Sequence, residues 1–170
     1  MLKIYAIFGL SAAFIALSLA CSCIRLEQQV GDMQLGTWCY AHWISKVNIS
    51  QKIPDKPIKI SKNVTLIGQN LHYVASHLEI FKGKQNISKN IFTTRTSASC
   101  GVDYLEPGLT YLLSGFYGEK GKLRINLCFF MPIERVNGHP EWSTVPDELY
   151  KRLKSGNFTR CRNQKKKIQL

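Results

Sequence analysis

Six cysteines, Cys21, Cys23, Cys39, Cys100, Cys128 and Cys161, restrict this chain more than any other feature, being even in number and spread along most of its length. In an oxidising compartment such a set reads as three disulfides, and ties of that reach draw the chain into one domain. Their separations after Cys23 are long and irregular, unlike the short repeated spacings of a zinc site. Which cysteine joins which is left open by the spacing.

What precedes Cys21 predicts the compartment. Residues 1–20 carry Lys3, an apolar run over residues 4–17 and the small-residue ending Ser18-Leu19-Ala20, the pattern of a secretory signal peptide. Cleavage after Ala20 is expected, making Cys21-Ser22-Cys23 the new N-terminus. The apolar run falls short of the ~20 residues that cross a bilayer, so no membrane span is expected in the mature form. A bacterial lipoprotein signal needs a Leu-like residue where Ser18 stands. Sequons at Asn48, Asn63, Asn86 and Asn157 favour a eukaryotic secretory route and an extracellular protein. The mature 150 of the 170 residues suffice for one domain with a buried core.

The formal charge of +12 falls to +11 once Lys3 is removed. Much of the excess lies in Lys151, Arg152, Lys154, Arg160, Arg162 and Lys165-Lys166-Lys167, so residues 162–170 read as a basic tail. Heparin-like glycosaminoglycans are the matching extracellular partner, bound electrostatically. A solvated tail that aids solubility is the alternative. No zinc-finger, helix-turn-helix or RNA-binding motif accompanies the charge, so nucleic acid is not an expected partner.

Residues 43–49, 56–67 and 71–81 are rich in β-branched and aromatic residues, partly alternate with polar ones, and are punctuated by Pro54, Pro57, Gly68-Gln69-Asn70 and Lys82-Gly83-Lys84. Residues 109–117 and 123–131 flank Gly118-Glu119-Lys120-Gly121, a hairpin turn. Five strands at short spacing predict a mainly β fold, a small barrel or sandwich. A short helix is predicted over residues 149–154, opened by Pro146-Asp147-Glu148 and stopped by Ser155-Gly156, with Leu149 and Leu153 forming its apolar stripe. A second helix over residues 26–35 is a weaker reading because of Gly31 and Gly36.

Taken in order, these segments resemble the tissue inhibitors of metalloproteinases, in particular their N-terminal netrin-like domain. The resemblance covers residues 21–161 and rests on several landmarks. They are Cys21-Ser22-Cys23 at the cleavage point, Cys39 before Trp43-Ile44-Ser45-Lys46-Val47, Leu78-Glu79-Ile80-Phe81-Lys82-Gly83, and Phe92-Thr93-Thr94 leading to Ser99-Cys100-Gly101. Tyr111-Leu112-Leu113-Ser114-Gly115, Cys128-Phe129-Phe130, Trp142 and Cys161 follow in the same order. The resemblance implies a five-stranded oligonucleotide/oligosaccharide-binding barrel with packed helices and the pairing Cys21–Cys100, Cys23–Cys128 and Cys39–Cys161. Each bond would close a loop of roughly 80 to 120 residues, stabilising by up to ~4–5 kcal/mol in the chain-entropy model.

It also implies a function, inhibition of zinc metalloendopeptidases in a 1:1 complex by a monomer. The α-amine and carbonyl oxygen of Cys21 would chelate the target's catalytic zinc at its open position, displacing the water. Ser22 would enter the adjoining specificity pocket, with Cys23, Ile24, Ser99, Cys100 and Gly101 along the cleft. The only metal involved is the target's, met by Cys21, and no cofactor is implied.

Two features depart from the family. The 15 residues between Cys23 and Cys39 are more than expected and lack the usual prolines, and only nine residues follow Cys161, so a second disulfide-bonded domain is not expected. The runner-up function is a secreted netrin-like protein that modulates immune cells or binds glycosaminoglycan or a receptor without strong protease inhibition. An enzyme has little support. His42, His72, His77 and His139 form no His-Glu-x-x-His pattern, and there is no phosphate loop or nucleophile elbow. Glu27, Asp32, Asp103 and Glu106 are scattered carboxylates that read as solvated. Trp38, Tyr40 and Trp43 around Cys39 read as core packing beside a disulfide, with an exposed ligand patch as the alternative. Trp142 also reads as core.

Overall fold

The computed structural model describes residues 21–23, 33–61, 64–66, 68–134, 139–158 and 161. Helix α1, Met33–Tyr40, leads into the long strand β1, Trp43–Pro54. The hairpin of β2, Ile58–Ser61, and β3, Val64–Leu66, follows, and then β4, Asn70–Lys82, β5, Asn90–Thr94, β6, Thr110–Tyr117, and β7, Leu123–Arg124. Helix α2, Asp147–Ser155, completes the elements.

Five strands close a barrel in the order β1-β4-β5-β7-β6, with β6 returning to pair with β1. Every neighbouring pair is antiparallel except β5 and β7, which run parallel. Counting only barrel strands along the chain, the order is first, second, third, fifth, fourth, the arrangement of the oligonucleotide/oligosaccharide-binding barrel that the resemblance implies.

Inward positions of alternate residues fill the barrel. Trp43, Val47 and Ile49 of β1, Leu71, Tyr73 and Ala75 of β4, Ile91 of β5, Tyr111 and Leu113 of β6 and Leu123 of β7 are all at most 1% exposed. Part of the outer surface of β1 and β6 is the floor of a second core. There Ile44 and Leu112 meet Ala41, Met131, Phe158 and the stripe Leu149/Leu153 of α2. The predicted apolar stripe is thus the one that packs, and α2 stops at Gly156, whose N–H bonds back to Arg152 and Leu153.

The strand count was right, but two of its members were assigned differently. Of the predicted strand 56–67, Ile58–Ser61 and Val64–Leu66 lie outside the barrel as the separate β2–β3 hairpin. Its strands pair only with each other, and Ile60 is 61% exposed. The barrel position is taken instead by β5, whose five residues are mostly polar. Of the strand predicted over residues 123–131 only Leu123–Arg124 pairs, because Asn126 accepts a hydrogen bond from the Cys128 N–H and turns Leu127–Phe129 into a 3-10 turn. Of the helix predicted over residues 26–35, residues 33–35 are helical, as the first residues of α1, which continues through a buried Gly36 and ends at Cys39-Tyr40. Thr37 of α1 donates to the Phe130 carbonyl at 3.3 Å, and the Cys39–Cys161 disulfide ties its last turn. Residues 24–32, with the remainder of that prediction, lie outside the described residues, as do the leader and the tail.

Aromatic residues near Cys39 pack internally. Trp43 is fully buried in the barrel, Trp38 stacks on Phe158 with centroids 4.3 Å apart, and Trp142 stacks on Phe81 at 6.1 Å. No helix among the described residues is long and apolar enough to cross a membrane.

Candidate functional site

The segment 21–23 lies against the far end of β5 because two disulfides hold it there. Cys21 is bonded to Cys100 and Cys23 to Cys128, with Cα–Cα distances of 5.0 and 5.3 Å. The two bridges sit side by side, with Cys21 and Cys23 sulfurs 4.0 Å apart and Cys100 and Cys128 sulfurs 3.7 Å apart. All four sulfurs fall within 4.8 Å of one another. Ser22 is exposed between these two fixed points.

Short polar residues shape the receiving loop. After β5, Ser97–Ser99 forms a 3-10 turn. The Thr96 carbonyl accepts from the Ser99 N–H at 3.2 Å and the Gly101 N–H at 2.9 Å. The Thr96 and Ser99 hydroxyls are 2.6 Å apart, and the Thr94 hydroxyl donates to the Ser99 carbonyl at 3.1 Å. Cys100 itself is left-handed, with φ of 56°, a conformation that costs a non-glycine residue about 1–2 kcal/mol. The surrounding bonds hold it there. Its carbonyl accepts the Leu127 N–H at 3.0 Å, joining the loop to the turn that carries Cys128.

Gly101 completes the loop by close approach. A Cβ atom there would lie 2.2 Å from the Thr94 carbonyl oxygen, closer than any side chain allows. Behind it, Val102 is buried and its N–H donates to the Thr93 hydroxyl at 3.0 Å. The Tyr73 hydroxyl donates to the Val102 carbonyl at 2.8 Å and accepts from the Leu105 N–H at 3.3 Å. Burial pushes the Tyr73 phenol well above its ordinary pKa, so it stays a neutral donor.

The structure therefore brings Cys21, Ser22, Cys23, Ser99 and Cys100 into one edge, on which Ser22, Cys23 and Ser99 are exposed, whereas Gly101, expected along the cleft, is buried behind it because its backbone packs on Thr94. Ile24 lies outside the described residues. Thr94 entered the sequence reading only within the Phe92-Thr93-Thr94 landmark, and Thr96 and Asn126, which also fix the edge through hydrogen bonds, not at all. Short polar residues in loops carry no periodic signal, and proximity to Cys100 and Cys128 was their only mark.

The histidines are dispersed. His77 bonds through its two ring nitrogens to the Ser45 hydroxyl at 3.0 Å and the Ser88 carbonyl at 3.1 Å, and burial lowers its pKa. His42 accepts from the Tyr117 N–H, and His139 packs on the Tyr104 ring. Among the described residues the four clustered cysteines form the one group of three or more His, Cys, Asp or Glu side chains near enough to share a metal, and their sulfurs are in disulfides.

The family model of the tissue inhibitor of metalloproteinase matches residues 19–139, a span that contains this edge and its supporting loop. The chain belongs to that family. Among relatives, tag-225 of Caenorhabditis elegans, provisionally named a metalloproteinase inhibitor, is 29% identical over 152 residues, covering 85% of this chain and 91% of the relative. Metalloproteinase inhibitor 2 of the dog is 28% identical over 149 residues, covering 84% of this chain and 61% of the dog protein. Membership in the tissue inhibitor of metalloproteinase family points to a protease inhibitor and not to an enzyme.

Proposed function

We propose that this protein is secreted, loses residues 1–20 and inhibits zinc metalloendopeptidases through the N-terminus so exposed. The observation that carries the reading is the double tether of Cys21 and Cys23, with Ser22 presented between them. An edge held from both sides loses little conformational entropy on docking, so its contacts appear more fully as affinity.

A catalytic metalloproteinase zinc keeps one position for water. The Cys21 α-amine and carbonyl oxygen take that position as a chelating pair, and the displaced water is the nucleophile the target needs. An ordinary α-amine titrates near ~7.7–8.0, and only its neutral form coordinates. Ser22 enters the neighbouring pocket, where a small hydroxyl fits many shapes and fills few deeply. Ser99 and Cys100 line the other side of the contact, with Gly101 buried beneath them. The complex is one inhibitor per enzyme, with the inhibitor a monomer.

The test uses processed protein whose N-terminus is shown by mass spectrometry to be Cys21. Titrated against a panel of active-site-calibrated zinc metalloproteinases, it should inhibit stoichiometrically. Placing one alanine before Cys21, or acetylating its amine, should abolish inhibition while thermal unfolding is unchanged. Inhibition that survives either change rules out chelation, and its absence from the unmodified folded protein favours the receptor- or glycosaminoglycan-binding alternative.

A further inference from the structure

The two bridges that hold the N-terminal segment lie close enough to exchange partners. Besides the bonded pairs, the Cys21 and Cys23 sulfurs are 4.0 Å apart and the Cys100 and Cys128 sulfurs 3.7 Å apart, so each sulfur has a second sulfur beside it. Cys23 is exposed, whereas Cys21, Cys100 and Cys128 are half-buried, so a thiol arriving from solvent meets Cys23 first. The third bridge, Cys39–Cys161, takes no part in the cluster.

The native bridges span 79 and 105 residues of sequence, and bridges along the two short contacts would span 2 and 28. Either pairing leaves the Cys100 loop joined to the Cys128 turn, where the Cys100 carbonyl accepts the Leu127 N–H at 3.0 Å. The difference between them falls on the N-terminal segment. One pairing ties it to the barrel, and the other closes it on itself.

We propose that this cluster is a thiol-triggered switch, exchanging Cys21–Cys100 and Cys23–Cys128 for Cys21–Cys23 and Cys100–Cys128 and so releasing the Ser22 edge. A low-molecular-weight thiolate attacks the Cys23 sulfur, forming a mixed disulfide and expelling the Cys128 thiolate. That thiolate attacks the Cys100 sulfur, 3.7 Å away in the native pairing, forming Cys100–Cys128 and expelling the Cys21 thiolate. The Cys21 thiolate attacks Cys23 in the mixed disulfide, from a native separation of 4.0 Å, forming Cys21–Cys23 and returning the small thiolate. Disulfide bonds made equal disulfide bonds broken, so no electrons are gained or lost and the thiol acts as a catalyst. A bridge across one intervening residue is geometrically strained, which leaves it open to attack in turn and makes the exchange reversible. Chain entropy restored to the freed segment offsets part of that strain. The effect on inhibition rests on the inhibitor reading above, whereas the exchange itself does not.

The experiment incubates the processed full-length protein with a substoichiometric amount of glutathione across a pH series. Samples are quenched in acid, capped with N-ethylmaleimide, digested with trypsin without reduction and mapped by mass spectrometry. Cleavage after Arg25 should free the peptide of residues 21–25 from the exchanged form, whereas native bridges keep it attached to the Cys100 and Cys128 peptides. Intact mass and Cys39–Cys161 should be unchanged. The exchange rate should rise about tenfold per pH unit below the pKa of the thiol, since the thiolate is the attacking species. S-methylglutathione should be inert. Native pairing alone, capped free thiols in place of the exchanged pair, or equal scrambling of Cys39–Cys161 would overturn the switch. The isolated exchanged form should inhibit metalloproteinases at least about tenfold more weakly than the native form. Equal inhibition by the two forms would refute the release of the edge. A native form that never inhibits would count against the inhibitor reading alone, because the freed peptide still reports the exchange.

Discussion

The carbonyl oxygen of Thr94 stands 2.2 Å from where a Cβ atom on Gly101 would be, so the last residue of β5 and the residue after Cys100 approach as closely as backbone allows. Gly101→Ala must therefore displace the loop that receives Cys21. We expect a loss of about 1–3 kcal/mol in chemical denaturation, the range for overpacking a tight site. Metalloproteinase inhibition should weaken at the same time. Stability and inhibition both equal to those of the unaltered protein would show that the loop relaxes without consequence.

The three disulfides are predicted to divide their roles. Cys39–Cys161 ties α1 to the region beyond α2, holds no residue of the Ser22 edge, and closes 122 residues of sequence. Replacing both cysteines by serine should cost about 2–5 kcal/mol while the folded fraction inhibits normally. The corresponding change at Cys23 and Cys128 frees one end of the edge and should weaken inhibition at least about tenfold through lost preorganisation. Equal inhibition by the two double variants would remove the distinction.

His77 gives stability a pH dependence. Burial lowers its pKa in the folded state below the ordinary ~6.5, so the unfolded chain binds the proton more readily. Stability is fullest above ~6.5, declines as pH falls through the interval between the unfolded and folded values, and levels off below the folded value. Urea midpoints between pH 8 and pH 5 should fall more steeply for the unaltered protein than for His77→Gln. Parallel curves would assign the dependence to other groups.

Sequon occupancy should be uneven. The Asn48 side-chain nitrogen, in the middle of β1, donates to the Gly108 and Leu109 carbonyls and the Thr110 hydroxyl at 3.1–3.3 Å. A glycan on that nitrogen would displace these bonds, whereas Asn86 and Asn157 are exposed in turns. Glycopeptide mapping of secreted protein is expected to find Asn86 and Asn157 occupied and Asn48 bare. A fully occupied Asn48 would refute this ordering.

Much of the barrel was legible because β1, β4 and β6 are long enough to show alternation, and α2 because its two leucines lie four residues apart. β5 was hidden by its inward Thr93, a polar residue whose hydroxyl accepts the Val102 N–H, so its period reads as a loop. β7 has two residues, too few for any period. The amphipathic segment 56–67 misled for the opposite reason, having a strand's alternation without a place in the barrel. At the site, Cys21-Ser22-Cys23 announced itself. The Thr94, Thr96 and Asn126 bonds that hold its partners did not, since they follow from which loops meet in space.

Cys21 and Cys23 are separated from their partners by 79 and 105 residues. The segment 21–23 thus waits for residues synthesised much later before its shape is fixed. Neither native bridge can form until β5 and the Asn126 turn have been synthesised, and the paired thiols of Cys21 and Cys23 must survive in the meantime without bonding to each other or to strangers. The exposed edge is therefore a late product of folding, and a chain released early has the right N-terminal residues with nothing to hold them.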